Sequence, residues 1–366
     1  MMRDMTKVWL AGIVLGICGG TLAQGPTAAG SQVAGVGQTV DAQRAVVSDA
    51  ETLRGLRRLV DTGHAEEALR QIAELKAKQA KVAGLSRVEG LALYAKGDLR
   101  GADQAFAAAI AADAGDIEAS EMRGLTLFRL GRPGDAIPLL EAARGGVVET
   151  ANRKTDPNYL LGLCYMDTRR YDEARRAFAT QFGFAGDGAS AYLLTARMLL
   201  RREYLPIAQE FAAKAVELNA VLPLAHELLG EIQLAGNHLD EAIAEFEKER
   251  TMNPLEPPIY DRLGDAYGRA GRYEEARASL QEAVLLEPNS TGPYILLGKT
   301  MLKEGDVVSA ATYLERAAKM DPANHITHSL LAQAYRLMGR KEDALKESEI
   351  AQRLLGENEP KLETVH

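Results

Sequence analysis

The sequence predicts an all-α solenoid of about nine helix-turn-helix units. A pattern of large and small residues returns every 34 residues, as from Leu229 to Leu263 and then to Leu297. Alanine recurs at one position of every unit, and a glycine separates the two halves of most units. A fixed period of this length indicates an array of helical repeats, each of which packs on its neighbours along the chain.

A small residue in the first half of most units sets the register of the repeats. Successive gaps between these positions are 34 residues, except for a gap of 38 after Gly124. Small residues on both helices of a unit let them cross at short distance while larger side chains interlock around them. The register positions are Leu56, Gly90, Gly124, Gly162, Ala196, Gly230, Gly264, Gly298 and Ala332, and the alanines twelve residues later are Ala68, Ala102, Ala136, Ala174, Ala208, Ala242, Ala276, Ala310 and Ala344.

A bulky residue is expected four residues after each alanine, where it packs between its own helix pair and the next. Ala212 and Ser348 are small at this position, which predicts a looser joint at repeat five and the end of the array at repeat nine. Between the two helices, a recurring glycine predicts a left-handed cap that ends the first helix. These glycines are Gly63, Gly97, Gly131, Gly271, Gly305 and Gly339.

The period places the solenoid at residues 45–357. The repeats lie near 49–82, 83–116, 117–154, 155–188, 189–222, 223–256, 257–290, 291–324 and 325–357. The extra residues of the long gap fall in 145–157 and predict a longer loop between repeats three and four. A polar tail, 358–366, is expected to be disordered.

The stretch 258–289 carries a specific resemblance. Its Tyr260, Leu263, Gly264 and Tyr267 lie on the first helix, and Ala276 lies on the second. This pattern resembles the tetratricopeptide repeat (TPR) family, and the resemblance covers roughly residues 49–355. It implies a right-handed superhelix whose concave face binds protein or peptide partners, with no catalytic activity. Tyrosine or histidine stands where the family often has tryptophan, as at Tyr192, Tyr260, Tyr294, His226 and His328.

The N-terminus has the order of residues typical of a secretory signal peptide. Arg3 and Lys7 precede an uncharged apolar run over 8–18, and small residues follow. We expect a signal peptide at 1–23 with cleavage after Ala23, a periplasmic or secreted protein, and no membrane span after cleavage. A retained membrane anchor is the alternative, although the run is short for a bilayer span. A lipoprotein acylated at Cys18 is a further alternative, which the bulky Ile17 disfavours.

A flexible leader is expected at 24–44, because the residues after the cleavage site are rich in glycine, alanine, serine and glutamine. From about Val40, the sequence is expected to extend the first helix backward as a cap. This cap would cover the N-terminal face of the array.

The chain offers no recognisable chemistry. Its 366 residues carry a net charge of −8, which disfavours nucleic-acid binding. No known catalytic motif occurs, so we expect no catalytic residue, no cofactor and no metal. His325 and His328 are three residues apart, but His328 holds a packing position of the repeat. Cys164 is expected to be a small buried hydrophobe.

The resemblance implies that first helices supply the concave face. Repeats two to four would place an apolar strip there, and repeats five to eight would follow it with charged bands. Either the apolar strip is an open groove for a partner segment, or a tight superhelix buries it as core; the sequence favours the groove. The apolar strip is Leu91, Tyr94, Leu125, Phe128, Tyr159, Leu163 and Met166, and the charged bands are Arg197, Arg201, Glu227, Glu231, Asp261, Asp265, Lys299 and Lys303.

Two binding functions are compatible with this pattern, and an enzyme with an unrecognised site has little room because the array occupies nearly the whole mature chain. The first is a scaffold that binds a protein segment, in an envelope or secretion assembly. The alternative is an accessory module of a cell-wall or polysaccharide system that recognises a polymer, for which Tyr94, Phe128 and Tyr159 would be the aromatic platforms. Repeat folds serve many tasks, so the sequence names neither the partner nor the oligomeric state.

Overall fold

A computed structural model of the protein describes residues 36–144, 149–150, 153–154 and 157–358. These residues form two compact units, one up to Ala177 and one from Phe178 onward. The predicted signal peptide, the first part of the leader and the chain after Asn358 lie outside the described residues. Within the described residues, no helix combines the length and the apolar character needed to cross a bilayer.

The predicted all-α solenoid is confirmed over the described part of the chain, where helices follow one another in pairs. The first unit contains α1 Val36–Asp61, α2 Ala65–Ala77, α3 Leu85–Lys96, α4 Leu99–Ala112, α5 Ile117–Arg129, α6 Pro133–Ala143 and α7 Asn158–Asp167, and α8 Tyr171–Phe182 spans the boundary. The second unit contains α9 Ala189–Arg201, α10 Leu205–Leu218, α11 Ala225–Ala235, α12 Leu239–Met252, α13 Pro257–Arg269, α14 Tyr273–Leu286, α15 Thr291–Glu304, α16 Val307–Met320, α17 His325–Leu337 and α18 Lys341–Asn358.

In five repeats, a bulky side chain of the second helix packs directly against the register glycine of the first helix. A Cβ added to Gly264 would lie 2.3 Å from Cγ of Leu280, and one added to Gly230 would lie 2.4 Å from Cε1 of Phe246. Leu280 and Phe246 are fully buried. A side chain at the register position is therefore excluded wherever the second helix contributes Phe or Leu, because the interior is close-packed.

The predicted glycine caps are confirmed, and all six of these glycines have positive φ. In the three repeats that lack the glycine, Arg169, Glu203 and Asn237 occupy the same position with φ of 61°, 62° and 62°. At Glu203, the backbone N–H donates to the Leu200 carbonyl oxygen at 2.9 Å, and the next N–H donates to the Leu199 carbonyl oxygen at 3.0 Å. These bonds satisfy the last carbonyls of the helix, so the turn keeps its shape without glycine.

A tyrosine clip ties neighbouring helix pairs together. The Tyr267 hydroxyl donates to Oε1 of Glu247 at 2.9 Å, and the Arg272 guanidinium lies 4.6 Å from the centre of the Tyr267 ring. Burial and this hydrogen bond raise the pKa of Tyr267 to about 12. The same three-residue clip recurs elsewhere, as Glu141–Tyr165–Arg170 and Glu315–Tyr335–Arg340.

Three of the residues that replace the family's tryptophan, Tyr260, Tyr294 and His328, bond to the preceding loop. The Tyr260 hydroxyl donates to the Pro254 carbonyl oxygen at 2.8 Å. His328 lies 3.0 Å from the Pro322 carbonyl oxygen through Nε2 and contacts Glu347 through Nδ1 at 2.5 Å. The packing role predicted for His328 is thus confirmed, as is the burial of Cys164.

The longer loop predicted at 145–157 connects α6 and α7, and within it Glu149–Thr150 pairs antiparallel with Arg153–Lys154.

Two expectations need correction. The leader predicted at 24–44 is helical from Val36, because 38–50 contains no glycine or proline and extending a formed helix costs less than starting one. The joint at repeat five is not loose, since Ala212 is fully buried opposite a register alanine, and the adjacent Phe211 packs on Tyr192 with ring centres 5.4 Å apart.

We predict that Glu203→Gly raises the free energy of unfolding by about 0.5–1 kcal/mol, because glycine adopts positive φ without the clash of a Cβ. Urea denaturation of the two proteins measures the difference. Glu203→Ala is the matched control, since it removes the same side chain but keeps the Cβ. Equal stability of the glycine and alanine variants would contradict the explanation.

Candidate functional site

The apolar strip lies in the first unit and is only partly accessible. Met166 is fully buried and Leu91 is 9% exposed within the core formed with Phe106. Leu125 and Leu163 are half-buried. The prediction that Met166 contacts a partner is therefore wrong: its side chain belongs to the core, where a flexible unbranched chain fills space well.

The aromatic members of the apolar strip differ in how open they are. Tyr159 is 37% exposed, whereas Tyr94 and Phe128 are half-buried. The guanidinium of Arg129 lies 4.8 Å from the centre of the Tyr94 ring and covers one face of it. Tyr159 is therefore the most exposed of the three rings, and this arrangement does not favour a row of bare stacking platforms for a polymer.

An ion cluster that the sequence reading missed lies beside the apolar strip. Nη1 of Arg57 is 2.6 Å from Oε1 of Glu118, and Nε of Arg87 is 3.2 Å from Oε2 of the same carboxylate. Arg87 also contacts Asp116 at 3.1 Å, and Asp116 caps α5 through the Ala119 N–H. The four charged groups pair with one another and tie α1 and α3 to the start of α5, although Nε of Arg87 is buried without a hydrogen bond.

The charged bands lie in the second unit, and part of them is internally neutralised. Nε of Arg262 is 2.7 Å from Oε1 of Glu227, whose side chain is 7% exposed, and the same guanidinium also bonds Glu231. Burial raises the pKa of Glu231, and the positive charges of Arg262 and Arg197 oppose that rise. The predicted contact of Glu227 with a partner is wrong, because its carboxylate is buried against Arg262.

The carboxylate of Glu249 holds the N-terminus of α11, which gives this glutamate a structural role at a position that is alanine in later repeats. Its side chain is fully buried at a position where the next two repeats have alanine. Oε1 accepts the Leu224 N–H at 3.0 Å, and Oε2 accepts the Glu227 N–H at 3.2 Å. Leu224 has a φ of 65°, so the carboxylate stabilises an otherwise strained helix start.

Two other members of the charged bands have buried polar atoms without a hydrogen bond. These are Nη2 of Arg197 and Oδ1 of Asp261. Burial raises the pKa of Asp261, and the charge of Asp265 adds to the rise. Arg201, Lys299 and Lys303 are exposed.

A depression of about 280 Å³ opens between α13 and α15. Three predicted residues, Asp265, Lys299 and Lys303, line it together. Arg269 also lines it but is engaged by the preceding repeat, where it donates to the Leu234 carbonyl oxygen at 3.2 Å and to Oδ1 of Asn237 at 2.9 Å. The remaining wall is formed by Gly264, Gly268, Tyr273, Leu296 and Thr300. In the described ranges, no group of three His, Cys, Asp or Glu side chains converges as a metal site.

We predict that Asp261→Asn makes the protein more stable than the wild type near neutral pH. A carboxyl whose pKa is raised by folding stabilises most below its ordinary pKa of about 4 and loses that contribution as pH rises through the raised value. Asparagine carries no charge, so the advantage should be present at about pH 8 and absent at about pH 4. Urea unfolding at both pH values measures it. Asp265→Asn, one turn further along α13, removes the same charge from a half-exposed site, and an equal gain there would contradict the burial argument.

Models of the family described as tetratricopeptide repeat match residues 87–147, 155–181, 257–290 and 301–349. No curated protein shows significant sequence similarity to the chain.

Several solved structures are similar to parts of the chain. YrrB, a TPR protein with an unusual peptide-binding site, is 22% identical, with 50% of this chain and 95% of YrrB covered and a TM-score of 0.42. MamA of Desulfovibrio magneticus RS-1, from residue 41 onward, is 17% identical, with 47% of this chain and 97% of the MamA chain covered and a TM-score of 0.44. A chain of the APC/C hetero-tetramer Cut9–Hcn1 is 17% identical, with 76% of this chain and 48% of that chain covered and a TM-score of 0.40.

Proposed function

Because the chain belongs to the tetratricopeptide repeat family, we propose that it is a non-catalytic scaffold that binds a segment of a partner protein on its first helices. Proteins of this family bind protein or peptide partners. Beyond this family property, we propose that the binding surface of this chain lies on its first helices and that the protein catalyses no reaction.

One observation carries the proposal: first helices retain accessible side chains that packing does not consume. In the first unit, Tyr159 is 37% exposed and Leu125 and Leu163 are half-buried. In the second unit, Lys299 and Lys303 are exposed. Apolar side chains beside charged ones suit a partner segment that is held by burial and placed in register by charge.

Among the described residues of the charged bands, Glu227 and Glu231 pair with Arg262, and Asp265 lies 4.0 Å from Arg269. No nucleophile with an adjacent base lies among these described side chains, so their arrangement supports binding. A scaffold needs only an accessible surface that binds its partner, and the first helices provide accessible side chains for such a surface.

We further propose that the protein works outside the cytoplasm, in an envelope or secretion assembly. The support is the order of basic, apolar and small residues in 1–23.

The export proposal predicts the mass of the mature protein. The full chain, expressed in a bacterial host with its own N-terminus and fractionated, should appear outside the cytoplasm with a mass that begins at Gln24. An intact N-terminus in the membrane fraction would indicate an anchor, and an acylated start at Cys18 would indicate a lipoprotein. Either result would overturn the proposed cleavage after Ala23.

The partner proposal is tested with variants of the apolar strip. Leu125→Asp with Leu163→Asp should reduce capture of partner proteins by the full chain at least about tenfold, because a buried apolar contact is replaced by unpaired charge. Captured proteins are quantified by mass spectrometry and then confirmed as purified pairs. Leu285→Asp with Leu345→Asp, on second helices where both side chains are exposed, is the control.

Folding of each variant is checked by circular dichroism. Tyr159→Ala serves as an independent variant if the double change unfolds the chain, because Tyr159 is already exposed. Retention of the same partners at the same level by both variants would rule out the apolar strip as a binding surface.

A further inference from the structure

We propose that the depression between α13 and α15 is an anchor site for an acidic side chain, Glu or Asp, of the bound partner segment. This proposal rests on the proposed scaffold function and specifies the chemistry of its partner. The site is hereafter the α13–α15 pocket. Its residues come from the second unit alone.

The α13–α15 pocket exists because of one glycine. Gly268 stands where the preceding and following first helices have Leu234 and Leu302. A Cβ added at Gly268 would meet only ordinary contacts, the nearest being Oγ1 of Thr300 at 3.7 Å. Unlike Gly264, it is therefore not required by helix packing, and its effect is to leave a leucine-sized space open to the surface.

The volume of the pocket selects the size of its occupant. At about 280 Å³ it lies at the lower end of the range of roughly 300–1,000 Å³ of pockets that enclose a small molecule. A space of this size accommodates a single side chain that projects from a segment lying across the first helices. The apolar edge supplied by Leu296 and Tyr273 suits the aliphatic stem of such a side chain.

The charge of the pocket selects the sign of its occupant. Lys299 and Lys303 are four residues apart on α15, so their ammonium groups lie on one face and repel each other. Neither lysine has a carboxylate within 4.0 Å in the part of the chain that the structure describes. Asp265 is opposed by Arg269 at 4.0 Å, so the two lysines leave the pocket with uncompensated positive charge.

A carboxylate relieves this repulsion and accepts charge-assisted hydrogen bonds from the ammonium groups, with the Thr300 hydroxyl as a further donor on the wall. A free inorganic anion would gain nothing from Leu296 and Tyr273. A lysine or arginine of the partner would face two cations. An acidic side chain on an aliphatic stem matches the two lysines, Thr300 and the apolar edge, and the charge of Asp265 that it also meets is opposed by Arg269.

The test uses a library of random peptides of about a dozen residues, displayed with their carboxyl ends joined to the carrier. Only side-chain carboxylates are then available, so a partner's terminal carboxylate is excluded as the source of binding. The full chain is expected to enrich peptides with Glu or Asp at one recurring position. Selected peptides are synthesised as amides and titrated by fluorescence anisotropy.

Lys299→Glu with Lys303→Glu should weaken binding of a selected peptide at least about tenfold. Lys319→Glu with Lys346→Glu changes net charge equally at exposed second-helix sites and should leave affinity unchanged. Replacing the peptide's recurring Glu by Gln should weaken binding to the wild type, with little further loss in the pocket variant. Replacing it by Lys should restore binding to the pocket variant.

Gly268→Leu tests the shape of the pocket independently of its charge. It should weaken peptide binding while leaving the thermal unfolding midpoint at or above the wild-type value, since leucine occupies this position in adjacent repeats and is a better helix former than glycine. Raising salt from about 50 mM to about 500 mM should also weaken binding.

The outcomes separate this proposal from the one it rests on. If selected peptides bind the wild type and the Lys299→Glu, Lys303→Glu variant equally, the α13–α15 pocket is not the anchor, and the scaffold function stands. If only peptides with a free terminal carboxylate bind, the side-chain assignment is wrong. If the chain enriches no peptide of any kind, the proposed binding of a partner segment fails together with the pocket.

Discussion

The contact between a register glycine and the bulky residue sixteen positions later is the constraint on which the rest of the structure depends. Gly264 and Leu280 show its strength, because a single added carbon on Gly264 would lie 2.3 Å from Leu280. This close approach fixes the distance and crossing of the two helices in a repeat. Where the register residue is Ala196, the residue sixteen positions later is the smaller Ala212, and both are fully buried. In repeat five, a Cβ at the register position thus goes together with a smaller partner on the second helix.

Polar contacts then fix each repeat on the next one. Tyr267 reaches back to Glu247 on the previous second helix, and Arg272 closes over the tyrosine ring. Tyr260 and His328 bond the carbonyls of the loops that lead into their helices. Each of these groups is amphipathic, with an apolar body in the interface and a polar tip that has a partner. Neighbouring repeats are thereby joined without an unsatisfied buried group at these points.

The side chains that are not used in core packing give the most direct indication of function. The register positions and the bulky residues opposite them are buried in the core, whereas the first helices keep side chains that no fold requirement explains. Gly268 is the clearest case, since an added Cβ would meet only ordinary contacts there and yet the position is a glycine beside an open depression. Lys299 and Lys303 border that space without a paired carboxylate, and unpaired like charges at close range are destabilising. A surface that costs stability and lacks a structural role is where a partner is expected.

The sequence by itself determined the fold class, the register and the positions of the helix-ending turns. It could do so because helix packing demands small residues at fixed spacing, which leaves a period that can be read directly. It also determined the roles of His328 and Cys164, since both hold packing positions. The sequence placed the residues of the apolar strip and the charged bands on first helices, where the structure has them. It did not reveal that Met166 and Glu227 are buried there.

Only the tertiary structure decided which of those residues remain available. Burial depends on neighbours distant in the chain, such as Arg262 beside Glu227, thirty-five residues earlier. The same is true of the left-handed turn at Glu203, which no local preference of glutamate predicts and which the bonds of the helix end impose. The periodic sequence specifies where helices meet because that requirement repeats in every unit. The pairing and exposure of individual charges differ from unit to unit, and three-dimensional contacts settle them.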